Sequence, residues 1–159
     1  MTKPYLEPKD WYPTLPTAYV SVVALLTDRL DRVLLVKPNY RDYWAMPGGI
    51  IDPGEAPHEC AEREVVEETG LKIQARRLLV VDYVPPFGDR PKPMVNFVFD
   101  GGIVTEPGLI RIEIDELDGF DFFSWQEAAT KLPASTSARI PAAREARKSG
   151  QTIYLPAFS

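Results

Sequence analysis

The chain has 159 residues, 45% of them hydrophobic, and a formal net charge of −5; that length and apolar fraction suit a single domain with a core of ordinary size. The negative balance argues against a nucleic-acid or anionic-membrane surface, and a protein of this sign acting on anionic substrates must bring cations to them. Cys60 is the only cysteine, which excludes an internal disulfide and points to a reducing, cytoplasmic setting.

Residues 1–16 carry Pro4, Pro8, Pro13 and Pro16 beside Tyr5, Trp11 and Tyr12. Prolines at that density argue against a regular helix, so an extended arm is expected, with its aromatics docked on the body, docked on a second subunit or stacked on substrate. No charged segment precedes an apolar one at the start, so no secretory signal is expected. The longest apolar run, Ala18 to Leu26, is interrupted by Ser21 and far too short for a membrane span.

Ala18 to Leu26 and Arg32 to Val36 are rich in Val and Leu, and the polar stretch Thr27 to Asp31 between them predicts an antiparallel hairpin. Pro38 to Tyr43 is a loop. Gly48 and Gly49 follow, where the backbone can approach a ligand closely. A helix is predicted from near Pro57, whose missing N–H costs nothing in a first turn, to Gly70, which suits a left-handed cap. Glu64, Glu67 and Glu68 share one side of that helix at i, i+3 and i+4, where like charges repel by a few tenths of a kcal/mol per pair (roughly). A divalent ion offsets that repulsion, because hard oxygen donors from helical carboxylates together with substrate phosphates are what Mg²⁺ prefers.

Further along, Lys72 to Val84 reads as strand-rich and Pro85 to Pro93 as a loop. Met94 to Asp100 reads as a strand that turns at Gly101-Gly102 into Ile103 to Thr105. Short strands are predicted over 109–114 and 120–125, around the acidic loop 115–119, and helices over 126–132 and 137–149, with Pro141 tolerable only in a first turn. An α/β fold with a mixed sheet covered on both faces follows from this order.

The stretch Gly49 to Leu71 resembles the signature of the Nudix hydrolases, G-x5-E-x7-R-E-U-x-E-E-x-G-U with U aliphatic. Gly49, Glu55, Arg63, Glu64, Val65, Glu67, Glu68, Gly70 and Leu71 meet all nine fixed positions, a coincidence on the order of one in a billion per start position from average residue usage. The resemblance extends through the flanking strands to about Gln126. It implies an α/β/α sandwich over 17–159, with 1–16 as an arm, and a MutT-like pyrophosphohydrolase that cleaves a nucleoside diphosphate linked to another group.

That resemblance assigns Mg²⁺, with Mn²⁺ able to substitute, to Glu64, Glu67 and Glu68, joined by the Gly48 carbonyl and, through water, by Glu55. Arg63 aims Glu67. A second acidic centre, Glu113, Asp115 and Glu116, lies where the family often brings a glutamate to the metal or the attacking water, so the catalytic candidates are Glu67, Glu68, Arg63 and Glu116. Arg41, Lys37, Gly49 and Tyr83 are the candidate substrate contacts. His58 lacks a partner histidine and reads as a surface residue, and Cys60 as a small buried one. The small-molecule substrate's identity stays open, a homodimer is admitted by the aromatic arm, and two other readings remain: a nucleotide sensor that binds without cleaving, and an isomerase on the same fold. The isomerase chemistry needs a pocket cysteine outside the box, whereas Cys60 lies inside it.

Overall fold

The computed structural model describes residues 4–156. Residues 1–3 of the expected arm lie outside the described residues. The rest of the arm is not uniformly extended: α1 (Pro8–Trp11) is one helical turn, continued by a 3-10 turn at Tyr12–Thr14. Pro8 and Pro13 each stand at a helix start, the position where proline's fixed φ and missing N–H are harmless. The aromatics are not docked on the body: Tyr5 is 80% and Tyr12 64% exposed.

A seven-stranded mixed sheet forms the frame. Its strands are β1 (Tyr19–Asp28), β2 (Val33–Pro38), β3 (Gly48–Ile50), β4 (Leu78–Val84), β5 (Met94–Val104), β6 (Leu117–Phe123) and β7 (Ile153–Pro156). The order is β6-β2-β1-β5-β4-β7, with β3 paired to β1. The predicted hairpin forms, Thr27 pairing with Val33 antiparallel. Asp28 shapes its turn by accepting from the backbone N–H groups of Leu30 and Arg32.

β1 and β5 run parallel over their whole length. Gly101 is passed over as a bulge, Leu25 pairing with Asp100 and Leu26 with Gly102, so the turn expected at Gly101-Gly102 is a continuous strand instead. A Cβ on Gly101 would sit 2.9 Å from the Leu26 side chain, and φ at Gly102 is +83°, which together explain the glycine pair. The strand expected over 109–114 is also absent. Pro107–Leu109 makes a 3-10 turn and the chain beyond it is irregular until β6.

Alternation along β1 sorts its side chains between two layers. Val22, Ala24 and Leu26 face α2 (Pro57–Thr69), packing near Cys60, Ala61 and Val65. Leu25 and its neighbour Val23 face α3 (Trp125–Lys131) and α4 (Arg139–Ser149), where Trp125, Ala128, Ile140, Ala143 and Ala146 are buried. Pro141 lies in the first turn of α4, as it must. A buried ion pair, Arg139 Nε to Asp82 Oδ2 at 2.6 Å, pins the start of α4 to β4. Among the described residues no helix is long and apolar enough to cross a membrane.

Candidate active site

The site is built on α2, and the helix starts and stops as its sequence dictates. Pro57 opens it, Glu59 reaches back to accept from the Ala56 N–H at 2.8 Å, and Gly70 closes it at φ +71° with its N–H on the Val66 carbonyl. Cys60, Ala61, Val65 and Thr69 are the buried stripe. That leaves Arg63, Glu64, Glu67 and Glu68 turned away from the core.

Arg63 is the hub of these side chains. Its Nε and Nη2 take the two oxygens of Glu55 at 2.7 and 3.0 Å, and its Nη1 reaches Glu64 Oε1 at 2.9 Å and Glu67 Oε2 at 3.0 Å. The guanidinium holds the Glu55 carboxyl down to about 2, with help from the Asp52 N–H. Both Glu55 oxygens thus point to Arg63, and Glu55 does not line the recess described below. Cys60 is fully buried under Arg63, and burial pushes its thiol up to about 12, so it is an inert thiol here. His58 is exposed, as expected.

Glu68 has a different environment. One carboxylate oxygen accepts from the Gly48 N–H at 3.0 Å. Burial pushes its carboxyl up to about 8, with further upward pressure from Glu64, Glu116 and Glu67. Burial also raises Glu64, though Arg63 opposes it. Gly49 explains itself by contact: a Cβ there would fall 2.2 Å from Glu64 Oε1, and one on Gly48 would fall 2.1 Å from the Val22 carbonyl. Gly49 therefore lets β3 pass close to the Glu64 carboxylate, while Gly48 lets it pack against the β1 backbone.

The second acidic centre is brought to the first. The irregular backbone between the 3-10 turn and β6 folds over the end of α2, with the Arg111 N–H on the Thr69 carbonyl at 2.8 Å and the Glu113 N–H on the Glu68 carbonyl at 3.3 Å. These donors serve helix-end carbonyls that have no partner within the helix. The result is a recess of about 270 Å³ lined by Glu64, Glu67, Glu68, Glu113, Asp115 and Glu116.

Lys37, Arg41 and Tyr83 do not line this recess. The Lys37 ammonium donates to the carbonyls of Pro38 and Arg41, bracing the loop, while the Arg41 guanidinium lies over the rings of Tyr40 and Tyr43 at 5.1 and 5.4 Å. Tyr83 is on β4, separated from β1 by β5. Sequence reading missed Asn39, which joins the loop after β2 to the acidic loop through two hydrogen bonds; a lone Asn after a proline carries no signal of such a role.

Among the described residues no three His, Cys, Asp or Glu side chains are drawn together tightly enough to hold a metal ion as they stand. Arg63 and mutual repulsion account for that spacing. The donor set nevertheless fits a hard divalent cation: all six lining groups offer carboxylate oxygens, and Glu68 is a buried acid surrounded by like charges with only an N–H for company.

The chain is similar to known proteins in sequence and in fold. The family model described as the NUDIX domain matches residues 17–144. A putative 8-oxo-dGTP diphosphatase of Bacillus subtilis is 37% identical over 65 residues, 41% of this chain and 44% of its own length. Human diphosphoinositol polyphosphate phosphohydrolase 3-alpha is 48% identical over 56 residues, 35% of this chain and 34% of its own. The chain thus spans less than half the length of these curated relatives. Two solved structures, the MutT protein from Methanosarcina mazei Go1 and a UDP-X diphosphatase, share the fold, each with a TM-score of 0.70 at 24% identity. The first likeness covers 84% of this chain and 97% of the other, the second 95% and 76%. A complete signature laid on one glycine turn and one helix, inside a family match over most of the chain, makes this protein a member of the Nudix family.

Proposed function

We propose that the chain is a Mg²⁺-dependent Nudix pyrophosphohydrolase that cleaves a nucleoside diphosphate linked to another moiety by attack of water on phosphorus, Mn²⁺ being able to substitute. The domain over 17–159 carries the activity and 1–16 is an arm. The observation that carries this reading is the recess itself: six carboxylates line one hollow, and Glu68 in it is buried among like charges.

Glu64, Glu67 and Glu68 would hold the cation, with the Gly48 backbone beside them. When bound, a divalent cation supplies Lewis-acid polarisation of the phosphoryl oxygens. The protein's own part is positioning. Arg63 holds the carboxylates of Glu64 and Glu67 from behind, and the Gly48 N–H fixes Glu68. Glu116, which lines the recess from the facing loop, accepts the proton from the attacking water; such general-base assistance contributes about 10²- to 10⁴-fold. The leaving phosphate chain is stabilised by charge and held in line, and phosphoryl transfer asks little more of the protein. Arg41, flanked by its two tyrosines two residues after Asn39, is the candidate contact for the rest of the substrate, with Lys37 bracing that loop and Gly49 giving close backbone approach. Tyr83, on β4 and outside the acidic recess, is the remaining candidate contact.

A substrate screen tests this reading. Nucleoside triphosphates, nucleotide sugars, ADP-ribose, dinucleoside polyphosphates and diphosphoinositol polyphosphates are incubated with Mg²⁺ or Mn²⁺, and released phosphate or monophosphate is measured. The expected result is metal-dependent release from at least one class, abolished by chelation. Tight calorimetric binding with no product after long incubation would instead support the nucleotide-sensor reading.

A further inference from the structure

We infer that Asn39 is a positioning residue that holds the acidic loop over the cation recess. This rests on the reading of the recess as a cation site.

The loop from Glu113 to Glu116 faces an unfavourable charge balance. Its three carboxylates share a hollow with three from α2, and like charges in one partly buried space push the loop away from the helix. Attachments on two sides oppose this. On the helix side the Arg111 N–H, just before the loop, is bonded to the Thr69 carbonyl at 2.8 Å, and within the loop the Glu113 N–H reaches the Glu68 carbonyl at 3.3 Å, a long bond. On the opposite side stands Asn39, which donates twice: its backbone N–H to the Glu116 carbonyl at 2.9 Å and its side-chain Nδ2 to the Asp115 carbonyl at 2.8 Å.

The sheet puts Asn39 there. β2 and β6 pair antiparallel, with Lys37 opposite Gly119 and Pro38 opposite Leu117, so Asp118 is skipped. That shift brings the first residue after β2 level with Asp115 and Glu116. Asn suits the task because its amide donates, whereas the carbonyls it must hold only accept. With both peptide carbonyls secured on the β2 side, the side chains of Asp115 and Glu116 line the recess. The charge of Glu116 is accordingly felt at both Glu64 and Glu68. Asn39 acts through the loop, its bonds going to the Glu116 and Asp115 carbonyls.

The test follows Mn²⁺ binding to the full chain by the electron-spin resonance signal of free Mn²⁺, without nucleotide. Asn39→Ala and Asn39→Leu, the second close in volume but without a donor, are compared with the wild type and Glu68→Gln. Asn39 is exposed, so both variants are expected to melt with the wild type in chelator. Their Mn²⁺ affinity is expected to fall about three- to ten-fold, the reach of one hydrogen bond. In turnover assays the half-saturating Mg²⁺ concentration should rise by the same factor, while the substrate KM stays within about two-fold. Wild-type Mn²⁺ affinity in both Asn39 variants overturns the inference, as does a lowered melting temperature in chelator with activity that added Mg²⁺ does not restore. Mn²⁺ binding equal in the wild type and Glu68→Gln would instead remove the cation-site reading beneath it.

Discussion

Two hollows of nearly equal size lie at the C-terminal end of α2, one reaching its cap Gly70 and the other lined by Glu64, Glu67 and Glu68 of the helix itself. One, about 280 Å³, is walled by Leu26, Leu71, Ile73, Ile103, Val104 and Leu109, with Lys72 and Glu106 at its edge; the other, about 270 Å³, is walled by six carboxylates. Volume therefore does not distinguish them. The aliphatic hollow extends a cluster in which Leu26, Val65 and Val104 are buried, and its walls do what the core does. The acidic hollow does the reverse: it gathers groups that repel and partly buries them, at a cost in stability that Arg63, bonded to Glu64 and Glu67, offsets only in part. A local violation of folding logic, placed on the longest helix among the described residues, is the mark of a functional site.

Substitutions on the acidic side should give the largest effects. Glu68→Gln is expected to lower turnover by about 10²- to 10⁴-fold at saturating Mg²⁺ while the protein stays folded, measured with the best substrate from the screen. Gly49→Ala places a methyl where the Glu64 carboxylate now sits. Only the far end of a flexible side chain has to move, so the expected outcome is a native melting temperature with turnover reduced up to about 10²-fold by misplacement of that carboxylate.

A smaller effect concerns stability without metal. The folded protein holds the Glu68 carboxyl up at about 8, above its ordinary 4.5. The folded state therefore binds the extra proton between those values; the stability it contributes is full below pH 4.5 and is lost as pH rises through 8. In chelator the wild type should lose stability from pH 5 to pH 8, by at most about 1.4 kcal/mol per pH unit, and Glu68→Gln should flatten that slope. Melting curves across this range check it. The smallest effect is on the aliphatic side: Leu109→Ala, at a residue 57% exposed, should leave turnover within about two-fold and stability within about 0.5 kcal/mol. A large loss of turnover there would undo the contrast between the two hollows.

The acidic side was the more legible in sequence. Fixed spacing placed Glu64, Glu67 and Glu68 on one side of a helix whose first and last residues, Pro57 and Thr69, followed from proline and glycine chemistry. The acidic loop could be named from composition, but its approach to α2 depends on backbone bonds to the Glu68 and Thr69 carbonyls that no side-chain pattern encodes. For the same reason 109–114 looked like a strand: Leu109, Ile110, Ile112 and Ile114 have the composition, yet the N–H groups of Leu109 and Ile110 close a 3-10 turn and those of Arg111 and Glu113 serve a helix end instead of a ladder. β3 is only Gly-Gly-Ile and β7 only four residues, each made a strand by its neighbour and not by propensity. The double role of Arg63, holding Glu55 as well as Glu67, needed coordinates, because nothing in an eight-residue separation says that two side chains will meet.

Proton release on cation binding tests the central claim most directly. With the Glu68 carboxyl pushed up to about 8 by burial, titrating the metal-free protein with Mn²⁺ at pH 7 in weakly buffered solution should displace protons as the ion binds. The release should vanish in Glu68→Gln and fade toward pH 9 in the wild type. Stoichiometric Mn²⁺ binding at pH 7 with no proton released, or the same release from Glu68→Gln, would contradict the account.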